Sequence, residues 1–233
     1  MRIHYTRQIY KDVARAINPK GKYWPFDTLF TYSFIGGSMF QRDYVRKGIQ
    51  RILDEVPGLR IVEEMGDNPG LIRISFNVAD GSWSYVGTDC LAVSSWLPTM
   101  NIGWYDQEEQ SNVVHEWLHA LNFSHEHIRG INFDKPKVYA AFKEIGWGKS
   151  EVDNNLFHYQ EHHYDETPMD VDSIMKYYIP CEWTVDGENC GYQNKVLSIG
   201  DINRLREMFP DQKLKDLKAY TINNIIKKLN ENT

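Results

Sequence analysis

Residues His115 to His125 read HEWLHALNFSH, and no other stretch of the chain restricts the backbone as tightly. His115 and His119 are four apart, so on a helix they share one face, one turn above the other. His125 lies six residues beyond His119 and cannot reach that face on a continuous helix. For the three imidazoles to meet, the helix must end soon after His119 and the chain must turn back. Such a turn needs a residue tolerant of positive φ near position 122. Asn122 stands there, the residue type most at ease in that region after Gly.

Three converging imidazoles suit a divalent metal, and zinc is the default for this donor set. A catalytic zinc site leaves one position open for water. Glu116 follows the first histidine, projects beside the metal and can take the proton of that water. A bare His-Glu-x-x-His arises by chance in roughly two chains in a hundred of this length, and His125 takes that level below about one in a thousand. A distant second element agrees with the zinc reading. It is Asp172–Tyr178, DSIMKYY, with Met175 50 residues beyond His125.

With these residues in hand, the chain resembles the astacin family of metzincin zinc endopeptidases, and most of all its bacterial members. HEWLHALNFSHEHIR, His115–Arg129, is similar to the family motif HExxHxxGFxHExxR, with Phe123, Glu126 and Arg129 matching. Asn122 departs from the family's Gly. Ser173-Ile174-Met175-x-Tyr177 resembles the family's Met-turn, a hydrophobic floor beneath the metal, with Lys176 where many relatives have His. Gly81–Gly87, GSWSYVG, resembles the cleft-edge strand, and Leu197–Asn203 the start of the last helix. The resemblance spans about residues 22–210. It implies that Tyr177 can ligate zinc and then swing to stabilise an oxyanion. It also implies that Glu126 meets the mature N-terminus, and that Trp83, Ser84, Tyr85 and Val86 pair with substrate backbone.

The expected fold is α+β and metzincin-like. A twisted mixed sheet carries two long helices in the N-terminal half, to about residue 125. An irregular, mostly helical half follows over 126–210, with the active-site cleft between them. Strands are expected at Thr28–Phe34, Leu59–Val62, Leu71–Val78 and Met100–Tyr105. Gln41–Val56 has apolar residues at three- and four-residue steps and stops at Pro57-Gly58, the pattern of an amphipathic helix. Asp106 with Glu109 has capping-box spacing for the zinc helix. Pro136–Ile145 and Ser198–Phe209 read as further helices. His158, His162 and His163 can form a second metal site or sit on a solvated loop or helix.

The net charge of −6 argues against nucleic acid as a partner. No apolar run approaches the ~18–20 residues that would span a membrane. Met1–Gly21 is polar, without the apolar core of a signal peptide, and reads as an N-terminal extension or pro-segment remnant. No zinc-blocking Asp or Cys motif stands out in it. Family resemblance nevertheless implies secretion. Of three cysteines, Cys181 and Cys190 flank an Asp186-Gly187 hairpin signal and can pair in an oxidising compartment, which leaves Cys90 as a small buried hydrophobe. The tail over residues 211–233 repeats Leu and Ile at helical spacing. It either docks on its own domain, binds a partner or lies on a membrane surface.

The function expected is endopeptidase hydrolysis of proteins or peptides. One zinc per chain is held by His115, His119 and His125, with Glu116 as general base. Two other readings compete: a delivered toxin or effector protease with one narrow target, and a non-catalytic peptide-binding module. The intact Glu116 argues against the module. A zinc site with Glu as third protein ligand fits the bare motif but not His125 and Met175.

Overall fold

The computed structural model describes residues 21–25, 27–66, 68–105, 110–128, 130–157 and 169–211. The segments 1–20, 158–168 and 212–233 therefore lie outside the described residues, and with them the expectations for the N-terminal extension, for His158, His162 and His163, and for the tail.

β1 (Leu29–Phe34) leads into α1 (Met39–Glu55), and the chain returns as β2 (Arg60–Glu63), parallel to β1. β3 (Ile72–Ser75) pairs parallel with the other side of β1. β5 (Met100–Asn101) follows parallel to β3, and β4 (Trp83–Ser84) closes the sheet antiparallel to β5. The strand order is β2-β1-β3-β5-β4. The sheet is mixed, as the pattern of the sequence implies.

Alternation sets the core. Phe30 and Tyr32 of β1, Ile61 of β2, and Ile72 and Ile74 of β3 turn to one face and are buried against α1 and α2 (Ser111–Ala120). α1 begins at a capping box, with Ser38 Oγ accepting from Gln41 N and Gln41 Oε1 accepting from Ser38 N. It ends before Pro57, which cannot continue a helix. α1 and α2 approach closely because position 48 is glycine: a Cβ there would lie 2.5 Å from Val113 Cγ1. On the opposite face, buried Arg73 donates to the carbonyls of Gly70, Leu71, Val93 and Leu97, fastening the loop before β5 onto the sheet.

Two strands are shorter than expected. β3 stops at Ser75 and β5 at Asn101. Beyond β5, Ser82 Oγ accepts from Gly103 N and Trp104 N. Beyond β3, the backbone is taken up by the buried Asn101 side chain. Its Oδ1 accepts from Asn77 N and Ser75 Oγ, and its Nδ2 donates to the carbonyls of Asn77 and Gly81. α2 also begins later than expected, at Ser111, with Gln110 as N-cap at φ 45°. The proposed capping residues Asp106 and Glu109 lie outside the described residues.

After residue 125 the described residues form short helices joined by irregular segments. They form α3 (Lys135–Glu144), α4 (Lys149–Val152) running into a π-helical turn at Asp153–Phe157, and α5 (Ile199–Met208). A second, smaller core gathers Val138, Phe142, Val152, Leu156, Tyr177 and Ile179. α5 returns to the first core through Leu205 and Phe209. Cys181 and Cys190 form a disulfide and Cys90 is free and buried. The Asp186-Gly187 signal makes a turn, with Gly187 at φ 75°, but not a two-stranded hairpin: Cys181–Trp183 is a 3-10 turn, and only Thr184 bridges, to Phe133.

Candidate metal centre

α2 is enclosed on every side, and each residue from Asn112 to Ala120 is buried. A helix so placed can carry His115, Glu116 and His119 only if their polar atoms find partners inside. The helix ends in a Schellman motif. Phe123 N donates to Leu118 O at 2.8 Å and Asn122 N to His119 O at 2.8 Å, with Asn122 at φ 82°. This is the left-handed turn that the spacing of the histidines demands. Trp24 Nε1 donates to Ala120 O at 2.8 Å, satisfying a carbonyl of the last turn.

Beyond the turn His125 comes back over the helix. Its Nε2 lies 3.2 Å from His115 Nε2 and 3.1 Å from His119 Nε2. His115 Nδ1 sits 2.9 Å from Ile174 O, and His119 Nδ1 2.8 Å from Phe123 O. A carbonyl only accepts, so each Nδ1 carries the proton and each Nε2 of a neutral ring offers a lone pair. Lone pairs converging at this distance repel unless a cation lies between them. Tetrahedral zinc with bonds of about 2.0–2.1 Å needs its nitrogens about 3.3–3.4 Å apart. The two separations from His125 come close to that requirement, all three nitrogens lie within 4.8 Å of one another, and the Nδ1–carbonyl pairs are the outer contacts that such histidines ordinarily make. Among the described residues, His115, His119 and His125 are the group able to hold a metal ion.

Glu116 is fully buried, and burial pushes its carboxyl up to about 8, with His115 pulling the other way. Met175 is fully buried in the first core beside Ile174, whose carbonyl orients His115. Tyr177, two residues on, belongs to the second core, and its ring centroid lies 4.3 Å from that of His125. The candidate site therefore sits where the two cores meet. Glu126 N donates to Met175 O at 3.1 Å, and Glu126 Oε2 accepts from Asp170 N at 3.2 Å. The N-terminal residues expected to meet Glu126 lie outside the described residues, as does Arg129.

Trp83 and Ser84 form β4, the last strand of the sheet order, while Tyr85 N donates to Thr99 O at 3.0 Å. The side chains of Trp83, Ser84 and Val86 are buried. Lys176 is buried too, its Nζ donating to Tyr192 O at 2.7 Å and Tyr177 O at 3.4 Å, and burial lowers its pKa. It braces the loop that follows the Met-turn.

Two residues escape a reading of the sequence. His127 is fully buried and stacks on Tyr177 at 4.2 Å, and Tyr177 N donates to its Nδ1 at 3.4 Å. Nothing in the spacing marks it, since it falls at a free position of the motif. Asp201 is visible in the sequence only as a helix-capping residue. In the fold its carboxylate accepts from Ser173 Oγ at 2.6 Å and Ile174 N at 3.0 Å.

The comparisons with known proteins agree with this geometry. Residues 16–184 match the family model described as Astacin, a peptidase family. A structure of myroilysin is 32% identical, covering 83% of this chain and 98% of its own, with a TM-score of 0.76. A crystal structure of myroilysin is 30% identical over 84% of this chain and 90% of its own, with a TM-score of 0.55. The hatching enzyme zinc-protease HCE-1 of the medaka fish Oryzias latipes covers 81% of this chain and 94% of its own. At 15% identity and a TM-score of 0.51 it supports the fold alone. No curated protein matches the chain. With most of the chain inside the family model, and the metal-site turn in place, this protein belongs to the astacin family of zinc metallopeptidases.

Proposed function

We propose that the protein is an endopeptidase in which His115, His119 and His125 hold one zinc ion and Glu116 is the general base. The convergence of three histidine nitrogens, with His125 Nε2 3.2 and 3.1 Å from those of His115 and His119 and the latter two rings each backed by a carbonyl, carries this reading. When bound, zinc lowers the pKa of water toward neutrality and polarises the scissile carbonyl. Glu116 accepts the proton of the attacking water and passes it to the leaving amine. Burial alone disfavours the ionised carboxylate that this role requires, and a cation held by the neighbouring histidines restores it. Tyr177 supplies a hydroxyl to the site, as a further ligand or an oxyanion donor. Met175 packs beneath the histidines and does no chemistry.

The substrate is an extended protein or peptide segment that adds to the edge of β4. Because the side chains of Trp83, Ser84 and Val86 are buried, recognition there runs through backbone. The catalytic unit spans about 22–210. The Cys181–Cys190 disulfide supports action in an oxidising, extracellular setting. No helix among the described residues is long and apolar enough to cross a membrane.

The test is hydrolysis of a diverse peptide library by wild type and by Glu116→Ala, with bound metal quantified in both. The expected result is about one zinc in each and cleavage by wild type alone, with the variant down at least about 100-fold. Equal cleavage by both would remove Glu116 as the base. A wild type that takes up no zinc would remove the metal assignment.

A further inference from the structure

We propose that Asp201, at the start of α5, is a positioning residue for His115, acting through the peptide units that flank Ile174. The inference rests on the reading that His115 is a zinc ligand.

The Ile174 carbonyl is the acceptor that orients His115, at 2.9 Å from Nδ1. A carbonyl serves as a fixed acceptor only if its peptide plane is fixed. Both N–H groups around it are held from Asp201. Ile174 N donates directly to Asp201 Oδ2 at 3.0 Å. Met175 N, in the same peptide unit as the Ile174 carbonyl, donates to Ser173 Oγ at 3.0 Å, and Ser173 Oγ donates to Asp201 Oδ1 at 2.6 Å. Asp201, Ser173 and His115 are all buried, so water does not compete for these bonds.

Helix capping accounts for only part of what Asp201 does. Its reciprocal bonds with Ser198, N to Oγ at 2.9 Å and Oδ2 from Ser198 N at 3.0 Å, close the capping box of α5. The bonds to Ser173 and Ile174 cap nothing, since those residues lie in the Met-turn, far earlier in the chain. The cap itself is anchored toward the metal site: Ser198 Oγ donates to Asp170 Oδ2 at 2.6 Å, and Asp170 N donates to Glu126, the neighbour of His125. α5 can begin this close to Asp170 because position 200 is glycine, where a Cβ would fall 2.1 Å from Asp170 Oδ2. The arrangement ties the N-terminus of α5 to the immediate surroundings of two of the three histidines.

The experiment measures zinc affinity by chelator competition for wild type, Asp201→Ala, Asp201→Asn and Ser198→Ala. Exchange of the His115 Nδ1 proton is followed by NMR on the same zinc-loaded samples. Loss of an outer contact to a metal-binding histidine weakens binding by about 10–100-fold. Asp201→Ala is expected at the lower end, about 10-fold, with faster exchange of the His115 proton. Asp201→Asn keeps an oxygen for Ile174 N and recovers most of the affinity. Ser198→Ala, which removes the side-chain cap and the bond to Asp170 but leaves the Met-turn bonds that hold the Ile174 peptide, stays within about threefold of wild type on the same scale. Equal losses in Asp201→Ala and Ser198→Ala would reduce Asp201 to a capping residue and overturn the proposal. Unchanged affinity and exchange in Asp201→Ala would do the same. If Asp201→Ala does not fold, Ser173→Ala cuts the arm to Met175 N alone, and wild-type affinity and exchange there would be decisive against the proposal. A wild type without zinc affinity would instead overturn the metal reading on which it rests.

Discussion

Glu116 shows how far a fold can move the chemistry of one residue. Its carboxyl sits inside α2 with no exposure, and burial raises its pKa from 4.5 to about 8. A raised carboxyl pKa means that the folded state holds the proton more tightly than the unfolded chain. In metal-free protein, this stabilising contribution is fully present below about pH 4.5 and is lost as pH rises toward 8. The contribution is a few kcal/mol at most, because each tenfold gain in proton affinity is worth about 1.4 kcal/mol. In thermal melts of zinc-free protein between about pH 5 and pH 8, wild type is therefore expected to lose more stability with rising pH than Glu116→Gln, the difference between the two being the Glu116 contribution. Parallel slopes would mean that Glu116 is hydrated in solution. Cys90 is the contrasting case: burial pushes its thiol up to about 12, so it stays protonated and inert. Glu116 was legible as chemistry because it follows a histidine at a metal-site spacing. His127 was not, because a buried ring stacked on Tyr177 leaves no periodic trace in the chain.

Among elements, the end of α2 matters most. The Schellman turn both stops the helix and aims the Phe123 carbonyl at His119 Nδ1, so the same few residues terminate the helix and orient a candidate ligand. Asn122 occupies the left-handed position at φ 82°. Replacing it by Ala puts an ordinary side chain where the left-handed conformation costs L-residues about 1–2 kcal/mol. Asn122→Ala is expected to lower Tm by about 2–8 °C, whereas Asn122→Gly keeps the backbone relaxed and loses less. A larger loss in the Gly variant would show that side-chain packing, not φ, selects Asn. The turn was foreseeable because six residues separate His119 from His125. The ends of β3 and β5 were not, because Asn101 takes up the backbone beyond β3 and Ser82 that beyond β5, each from a distance along the chain.

Across the whole molecule, the candidate site joins two cores. Met175 belongs to the one built on the sheet and Tyr177 to the smaller one, and the three histidines sit between them. A bound ion ties the end of α2 to the segment that returns after the turn, and its binding energy becomes folding stability. At a thousandfold excess over Kd the gain is about 4 kcal/mol, or about 8–16 °C in Tm for a chain of this size. Removing metal by dialysis against a chelator is expected to lower Tm by that amount, and restoring zinc to recover it. An unchanged Tm would mean that the three histidines hold their places without the ion. The helix over the first two histidines, the turn that must follow, and the alternation that buries one face of the sheet can all be read from the order of residues. These depend on neighbours within a turn or two, and local spacing encodes them. That Asp201 reaches the Met-turn, that Lys176 faces inward to Tyr192, and that His127 stacks on Tyr177 emerges only once the chain is packed. Those contacts join residues 16 to 50 positions apart, and what selects them is the need of buried polar groups for partners, a condition set by the packed fold and not by any one segment.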